Sequence, residues 1–378
     1  MTTYPKRPTV CEINLQALQD NYTLIKNRAG KGRKILAVVK ADAYGHGAVE
    51  VSKSLEEMGV DALGVAILEE ALRLRENGIT SSILILGGII EGQEKTIISH
   101  KLTPVIFSLS AAKKINNEAK KQDLIAKVHV KIDTGMGRLG IQKEGVKTFF
   151  KSLKDMTNIE VEGVLTHFAS ADFPSNSPEG DFTQKQIKDF EEALKVIEEM
   201  GFIIPLKHAA NSAAIFNHSM GLFNMVRPGI MLYGSYPSPA FKKIADLKEV
   251  MSFKTKIIDL KDVEKGFRVS YGSTYVAPGR RKVAVLPVGY ADGYRRELSG
   301  KGEVLIRGQR APVIGRICMD MTMVDVTGVE DVSLEDDVFL FGGEGDRHVS
   351  IEKLAEQVDT IAYELLCGIS QRVPRVYI

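Results

Sequence analysis

Eight short β-rich runs alternate with helical stretches along the first ~230 residues, an order that by itself argues for a parallel sheet with crossover helices. The runs fall at 35–40, 62–67, 82–86, 104–107, 126–133, 159–167, 204–208 and 224–227. Between them lie Leu/Ala/Glu/Lys-rich segments at 48–57, 69–76, 111–121, 144–154 and 183–199. Their apolar residues recur every three or four positions, the signature of helices with one buried face. Leu15, Leu18, Tyr22 and Ile25 show the same spacing ahead of the first run. Eight strands favour closure into a (β/α)8 TIM barrel over a doubly wound open sheet.

After Ser235-Tyr-Pro-Ser-Pro the pattern changes. Short apolar runs punctuated by glycine follow at 253–260, 283–288, 302–306, 312–317, 321–326 and 337–341, which reads as a mainly antiparallel β domain. A helical segment is expected over 350–366. A barrel takes about 250 residues, so a chain of 378 carries a surplus that needs an explanation. The expected division is a barrel over 12–240 and a β domain over 241–378, with residues 1–11 free to pair with the latter.

Composition narrows the function classes. Lys+Arg 50 against Asp+Glu 48 leaves +2, with no electrostatic footprint for nucleic acid or an anionic membrane. No apolar run is long enough for a membrane span, and the polar Met1-Thr-Thr-Tyr-Pro-Lys-Arg-Pro start has no apolar signal core. Cys11, Cys318 and Cys367 are three, far apart and without CxxC spacing. A disulfide framework and a metal site are therefore not expected, and a cytoplasmic location is. No Walker A, HExxH or dinucleotide fingerprint is present.

Five segments could carry chemistry. In Ala37-Val-Val-Lys-Ala-Asp-Ala-Tyr-Gly-His-Gly-Ala48 an apolar strand ends in Lys40. Lys40 is either a lysine snorkelling at a strand end or, desolvated at the catalytic face of a barrel, a Schiff-base former. In Val128–Gly140 alternation puts His129, Lys131 and Asp133 on one face, and glycines, which either simply make a loop or bring backbone close to a ligand, surround Arg138, whose fork suits a carboxylate or a phenolate-like oxygen. His167 closes another run. After His208, Asn211 or Ser212 can cap a helix, and a free hydroxyl there also suits a phosphate. Arg227-Pro-Gly-Ile places the Gly229 and Ile230 amides beside a turn. In the surplus, Tyr271, Tyr290 and Tyr363 lie in tyrosine-bearing segments where packing is the ordinary use, and Cys318-Met319-Asp320 sits in a strand-like run.

Taken in order, KADAYGHG, KIDTGMGRLG, VSYGSTY, GYADG and GRICMD resemble the alanine racemase family over nearly the whole chain. The resemblance implies a TIM barrel with a C-terminal β domain, pyridoxal 5′-phosphate (PLP) as cofactor, alanine as substrate and a homodimer with shared active sites. It implies that Lys40 binds PLP and acts as one base, while Tyr271 of the other subunit acts as the second. Tyr44, Ser212, Gly229, Ile230 and Tyr363 match phosphate contacts, and Leu86, His167 and Asn211 line the cofactor site. Arg227 matches the partner of the pyridine nitrogen. Arg138 and Met319 match substrate-carboxylate contacts. Lys131 matches a lysine carbamylated in many members. Tyr290, Asp320 and His208 match supporting positions. Ser273 stands where many relatives have alanine. The family implies supply of D-alanine for peptidoglycan. Broad-specificity or serine racemases of this fold, and a non-catalytic PLP-binding barrel protein, are the alternatives; a lone barrel would lack the β domain and Tyr271.

Overall fold

The computed structural model describes residues 7–174, 176–344 and 347–378, and the chain divides into two compact units. One comprises Leu18–Ala43 and Gly47–Lys248; the other comprises the residues up to Ala17, Tyr44–His46 and Glu249–Ile378.

The first unit is a closed eight-stranded parallel barrel. Its strands are Lys34–Val38, Ala62–Val65, Ser82–Ile85, Thr103–Ile106, Ala126–Asp133, Ile159–Leu165, Leu206–His208 and Met225–Val226. Each pairs in parallel with the next, and Met225 opposite Lys34 closes the ring. Several of these segments are buried on both faces, as at Ile83, Leu84 and Ile85, which is why they read as continuous apolar runs, whereas Ala126–Asp133 and Ile159–Leu165 alternate. Helices fill the crossovers, including Ala48–Glu57, Leu68–Glu76, Leu109–Lys121, Val146–Leu153 and Pro178–Glu199. Ser108 and Ser177 start two of them by accepting from the Ala111 and Gly180 amides. Two further helices, Glu94–Ser99 and Ser212–Asn217, have six residues each, too few for a periodicity to show.

One barrel strand is glycine-interrupted for a packing reason. A Cβ on Gly163 would sit 2.6 Å from the His129 ring carbon Cε1. The register between the strands that carry these two residues also shifts at Val128/His129. Both features make room for the His129 imidazole between the two strands.

The second unit is mainly antiparallel. One sheet runs in the order Gln309–Pro312, Glu303–Ile306, Asp337–Glu344, Met251–Lys256, Val10–Ile13, Arg375–Tyr377. The last pair is its parallel one. A three-stranded sheet holds Asp259–Val263, Arg281–Leu286 and Thr322–Asp325. The run expected over 253–260 is therefore two strands that enter different sheets. The single helix expected over 350–366 is two, Ile351–Gln357 and Ala362–Cys367, interrupted where Asp359 takes a left-handed φ of 54°. Of the N-terminal residues expected to pair with this unit, 1–6 lie outside the described residues; Cys11 pairs with Phe253 on one side and Arg375 on the other.

Asp292 ties this unit together. Its side chain is fully buried, accepts from the two terminal nitrogens of Arg7 at 2.6 Å, and lies 3.0 Å from Arg372 Nε. It also accepts from the Gly289 amide at 3.0 Å. Removing Asp292 leaves the Gly289 amide buried without its acceptor and takes the shared anion from two arginines that are themselves partly exposed. Asp292→Ala is expected to lower stability by about 1–3 kcal/mol, read as a fall in the urea midpoint with the m-value unchanged.

Candidate functional site

Lys40 stands at the C-terminal end of the first barrel strand, and the backbone that follows it is unusual. Ala41, Asp42, Ala43 and Tyr44 have φ of 52°, 54°, 54° and 53°, a left-handed turn built without glycine. Each L-residue in that conformation costs roughly 1–2 kcal/mol, so the turn needs external support. Two carboxylates provide it. Glu70 accepts from the Ala41 amide at 2.6 Å with one oxygen and from the Ala66 amide at 2.7 Å with the other. Asp42 Oδ1 accepts from the Ala48 amide at 2.9 Å and from Arg73 at 3.1 Å. Glu70 was not visible as a site residue in the sequence, where it reads as an acidic residue in the first turn of a helix.

The barrel brings together Lys131, His167, His208, Ser212, Arg227 and Gly229. Arg227 is buried, and its Nη2 donates to the carbonyls of Thr166 at 2.7 Å and Ala209 at 2.8 Å. Nη2 also meets His167 Nδ1 at 3.2 Å, and Nη1 meets His208 Nδ1 at 3.0 Å. A guanidinium can only donate, so both imidazoles present a lone pair at Nδ1. His208 Nε2 is then the protonated nitrogen and donates to His129 Nδ1 at 2.8 Å. Burial, followed by the charge of Arg227, holds His167 and His208 well below the usual histidine range; burial also lowers His129. Lys131 is buried, and desolvation, then Arg227 and Arg138, bring it down to about 8.

Ser212 Oγ accepts from the Gly229 amide at 2.9 Å. Asn211 caps the helix behind it by accepting from the Ala214 amide at 3.0 Å. Ile230 is buried directly after Gly229. Leu86 donates its amide to the Val65 carbonyl at 2.8 Å. Its side chain occupies space that a Cβ on Gly64 would invade, at 3.1 Å.

Arg138 lies in the barrel unit just after the strand Ala126–Asp133, and the remaining expected residues belong to the second unit. Tyr44 and Tyr363 pack ring to ring at 5.9 Å, and burial pushes the Tyr44 phenol up. Gly45 lies directly against the Leu366 carbonyl, with φ of 84°, leaving no room for a side chain. Tyr271 is 71% exposed and lies in a groove of about 510 Å³ with Phe267, Cys318, Met321 and Met323. Met319 and Tyr290 are also exposed. The amides of Tyr290 and Ala291 donate to the carbonyls of Cys318 and Met319 at 3.0 Å, so the turn after Gly289 seats the Met319 loop. Asp320 is held by Arg372 at 2.6 Å.

The histidines that the fold holds below their usual range, His129, His167, His208 and His218, make stability depend on acid. Their folded forms stay neutral below 6.5, while the unfolded chain binds protons there, so stability rises with pH up to about 6.5 and then levels. Each such histidine is worth up to about 1.4 kcal/mol per pH unit below that point. Urea midpoints are expected to be level between pH 8 and 7 and to fall steeply toward pH 5.5.

Comparison with known proteins follows this geometry closely. Residues 13–237 match the family profile described as alanine racemase, N-terminal domain, and residues 250–377 match alanine racemase, C-terminal domain. An alanine racemase of Halothermothrix orenii is 46% identical over 371 residues, covering 98% of this chain and 97% of the relative. The solved alanine racemase of Clostridium difficile 630 superposes with a TM-score of 0.92 at 44% identity, covering 99% of this chain and 97% of the other. The Bacillus anthracis alanine racemase with bound L-Ala-P gives a TM-score of 0.91 at 37% identity, covering 100% and 96%.

Proposed function

The chain belongs to the alanine racemase family, and from that premise we propose that it interconverts L- and D-alanine by a two-base reaction on PLP, in a homodimer. The observation that carries the reading is the Arg227 cluster, because a donor-only cation held by neutral carbonyl and imidazole acceptors suits an unprotonated pyridine nitrogen. The donor set also fits the rest of the cofactor. Ser212 Oγ with the Gly229 and Ile230 amides suits a phosphate, as do the phenols of Tyr44 and Tyr363. Lys40 would hold PLP covalently at the catalytic face of the barrel, with Leu86, His167 and Asn211 around it. In this reading residues 12–240 hold the cofactor, and residues 241–378 contribute the opposite-face base.

PLP supplies one thing when bound: an electron sink for the negative charge left when the Cα proton departs. The chain does the rest. Inverting a carbon requires proton transfer on opposite faces, so two bases are the direct solution. The Lys40 amine takes or gives the proton on the D-alanine face, and the Tyr271 phenol does so on the L-alanine face. Arg227 cannot accept a proton; it therefore disfavours a protonated ring and restrains side reactions that a stronger sink would promote. Arg138 and the Met319 backbone hold the substrate carboxylate. Tyr290, Asp320 and His208 support these groups from behind. The exposure of Tyr271, Met319 and Tyr290 on one chain supports their use across a dimer interface.

Lys131 is proposed to be N-carboxylated. Its Nζ lone pair attacks carbon dioxide, a C–N bond forms, one C–O π bond opens and the amine releases a proton to solvent. A lysine brought down to about 8 has a usable neutral fraction for this step. The product turns a repulsive neighbour of Arg138 into a charge-assisted acceptor. In a crystal grown with bicarbonate, density for the carbamate is expected at Lys131; a bare amine in clear density would refute the assignment.

Purified protein given PLP is expected to form D-alanine from L-alanine in preference to other amino acids. Tyr271→Phe should lower turnover about 10²–10⁴-fold while keeping the visible cofactor band. Lys40→Ala should lose both band and turnover. No D-alanine from the wild-type protein would sink the reading, and equal rates with serine or larger amino acids would broaden it to a non-selective racemase.

A further inference from the structure

Arg227 is a buried cation, and among the described residues none of its hydrogen bonds goes to a carboxylate. Its surroundings add charge of the same sign, since Arg227 and Lys131 both lower the proton affinity of His167, as do Arg138 and Lys40. Following the hydrogen bonds outward from Arg227 leads through His208 to His129, at 3.0 and 2.8 Å. His129 Nε2 then lies 3.5 Å from a Glu162 carboxylate oxygen. Glu162 in turn pairs with Lys127 at 2.7 Å on the barrel exterior.

The chemistry of this file has one consistent arrangement. Arg227 only donates, so His208 Nδ1 accepts and His208 Nε2 carries the hydrogen. His129 Nδ1 accepts that hydrogen, which leaves His129 Nε2 protonated and facing the carboxylate. The two inner links are hydrogen bonds and the outer one is a 3.5 Å approach of an N–H to a carboxylate, so the order runs from anion to cation. The barrel is adapted to it, with Gly163 opposite the His129 ring and a register shift beside it.

We propose that Glu162 is the remote counter-charge of Arg227, acting through His129 and His208, and is thereby a positioning residue for the ring nitrogen that Arg227 faces. This rests on the reading of Arg227 as the partner of the PLP pyridine. The distance has a purpose. A carboxylate in direct contact with Arg227 would favour a proton on the ring nitrogen, because opposite charge stabilises the charged form. Two neutral imidazoles transmit the anion's polarisation while keeping it away. Glu162 is suited to stay ionised, since its contact with His129, ahead of that with Lys127, lowers its carboxyl to about 2.

The test uses holoenzyme reconstituted with PLP labelled with nitrogen-15 in the ring. Glu162→Gln keeps shape and an acceptor oxygen but removes the charge; Glu162→Leu removes both. With less compensation, Arg227 presses a stronger hydrogen bond on the ring, so the pyridine resonance is expected to move upfield, toward the protonated value, in both variants. Should Glu162→Leu melt early, Glu162→Gln still gives the measurement. An unmoved pyridine resonance in Glu162→Gln, with normal PLP loading, overturns the proposal. Imidazole spectra of the wild-type chain without PLP provide a second readout: His129 and His208 are expected neutral with hydrogen on Nε2, and hydrogen on Nδ1 of His208 overturns the file. Failure of wild-type protein to bind PLP would instead defeat the parent reading, while the imidazole spectra would still decide the file.

Discussion

A guanidinium buried in a barrel must be satisfied by fixed partners, and Arg227 is satisfied by the strand ends around it. Its donors reach the Thr166 and Ala209 carbonyls and the Nδ1 atoms of His167 and His208. These acceptors come from the ends of two neighbouring strands, Ile159–Leu165 and Leu206–His208, and Arg227 itself follows the next one. The planar fork therefore fixes three strand ends at once, along with two ring tautomers. Ser212 and Gly229 stand immediately beyond, joined by their own hydrogen bond. Positions that suit phosphate and ring nitrogen are thus set by the same stretch of barrel.

Much of this was legible in the sequence because burial on both faces leaves continuous apolar runs. All eight barrel strands coincide with the β-rich runs, and the residues at their ends, Lys40, His167, His208 and Arg227, follow from the strand positions. The Asn211 cap was also legible, since asparagine before a small-residue helix has a local mechanism. What escaped was non-local. Nothing in Ala41-Asp-Ala-Tyr announces a left-handed turn, because its support comes from Glu70 and Arg73 about thirty positions on. Alternation placed His129 on one face with Lys131 and Asp133, but its link to Glu162 required the pairing of two strands. In the β unit the apolar pattern continues across 257–258, so the transfer of the chain from one sheet to another left no mark.

The two units solve different problems. The barrel concentrates cations, Lys131, Arg138 and Arg227 among them, where an anionic cofactor would neutralise them. The β unit concentrates exposed aromatic and methionine surface around Tyr271 and Met319, which a single chain leaves in water.

The left-handed turn after Lys40 sets stability against precision. Glycine at Ala41 or Ala43 would relieve the backbone conformation that L-residues resist. A chain judged only by its melting temperature would gain from that exchange. The same exchange would give the peptide beside the lysine several conformations where it now has one. The strain therefore acts as a bearing that holds a long, flexible side chain to a narrow set of directions, and directed improvement of thermal tolerance at these positions would be paid for in aim.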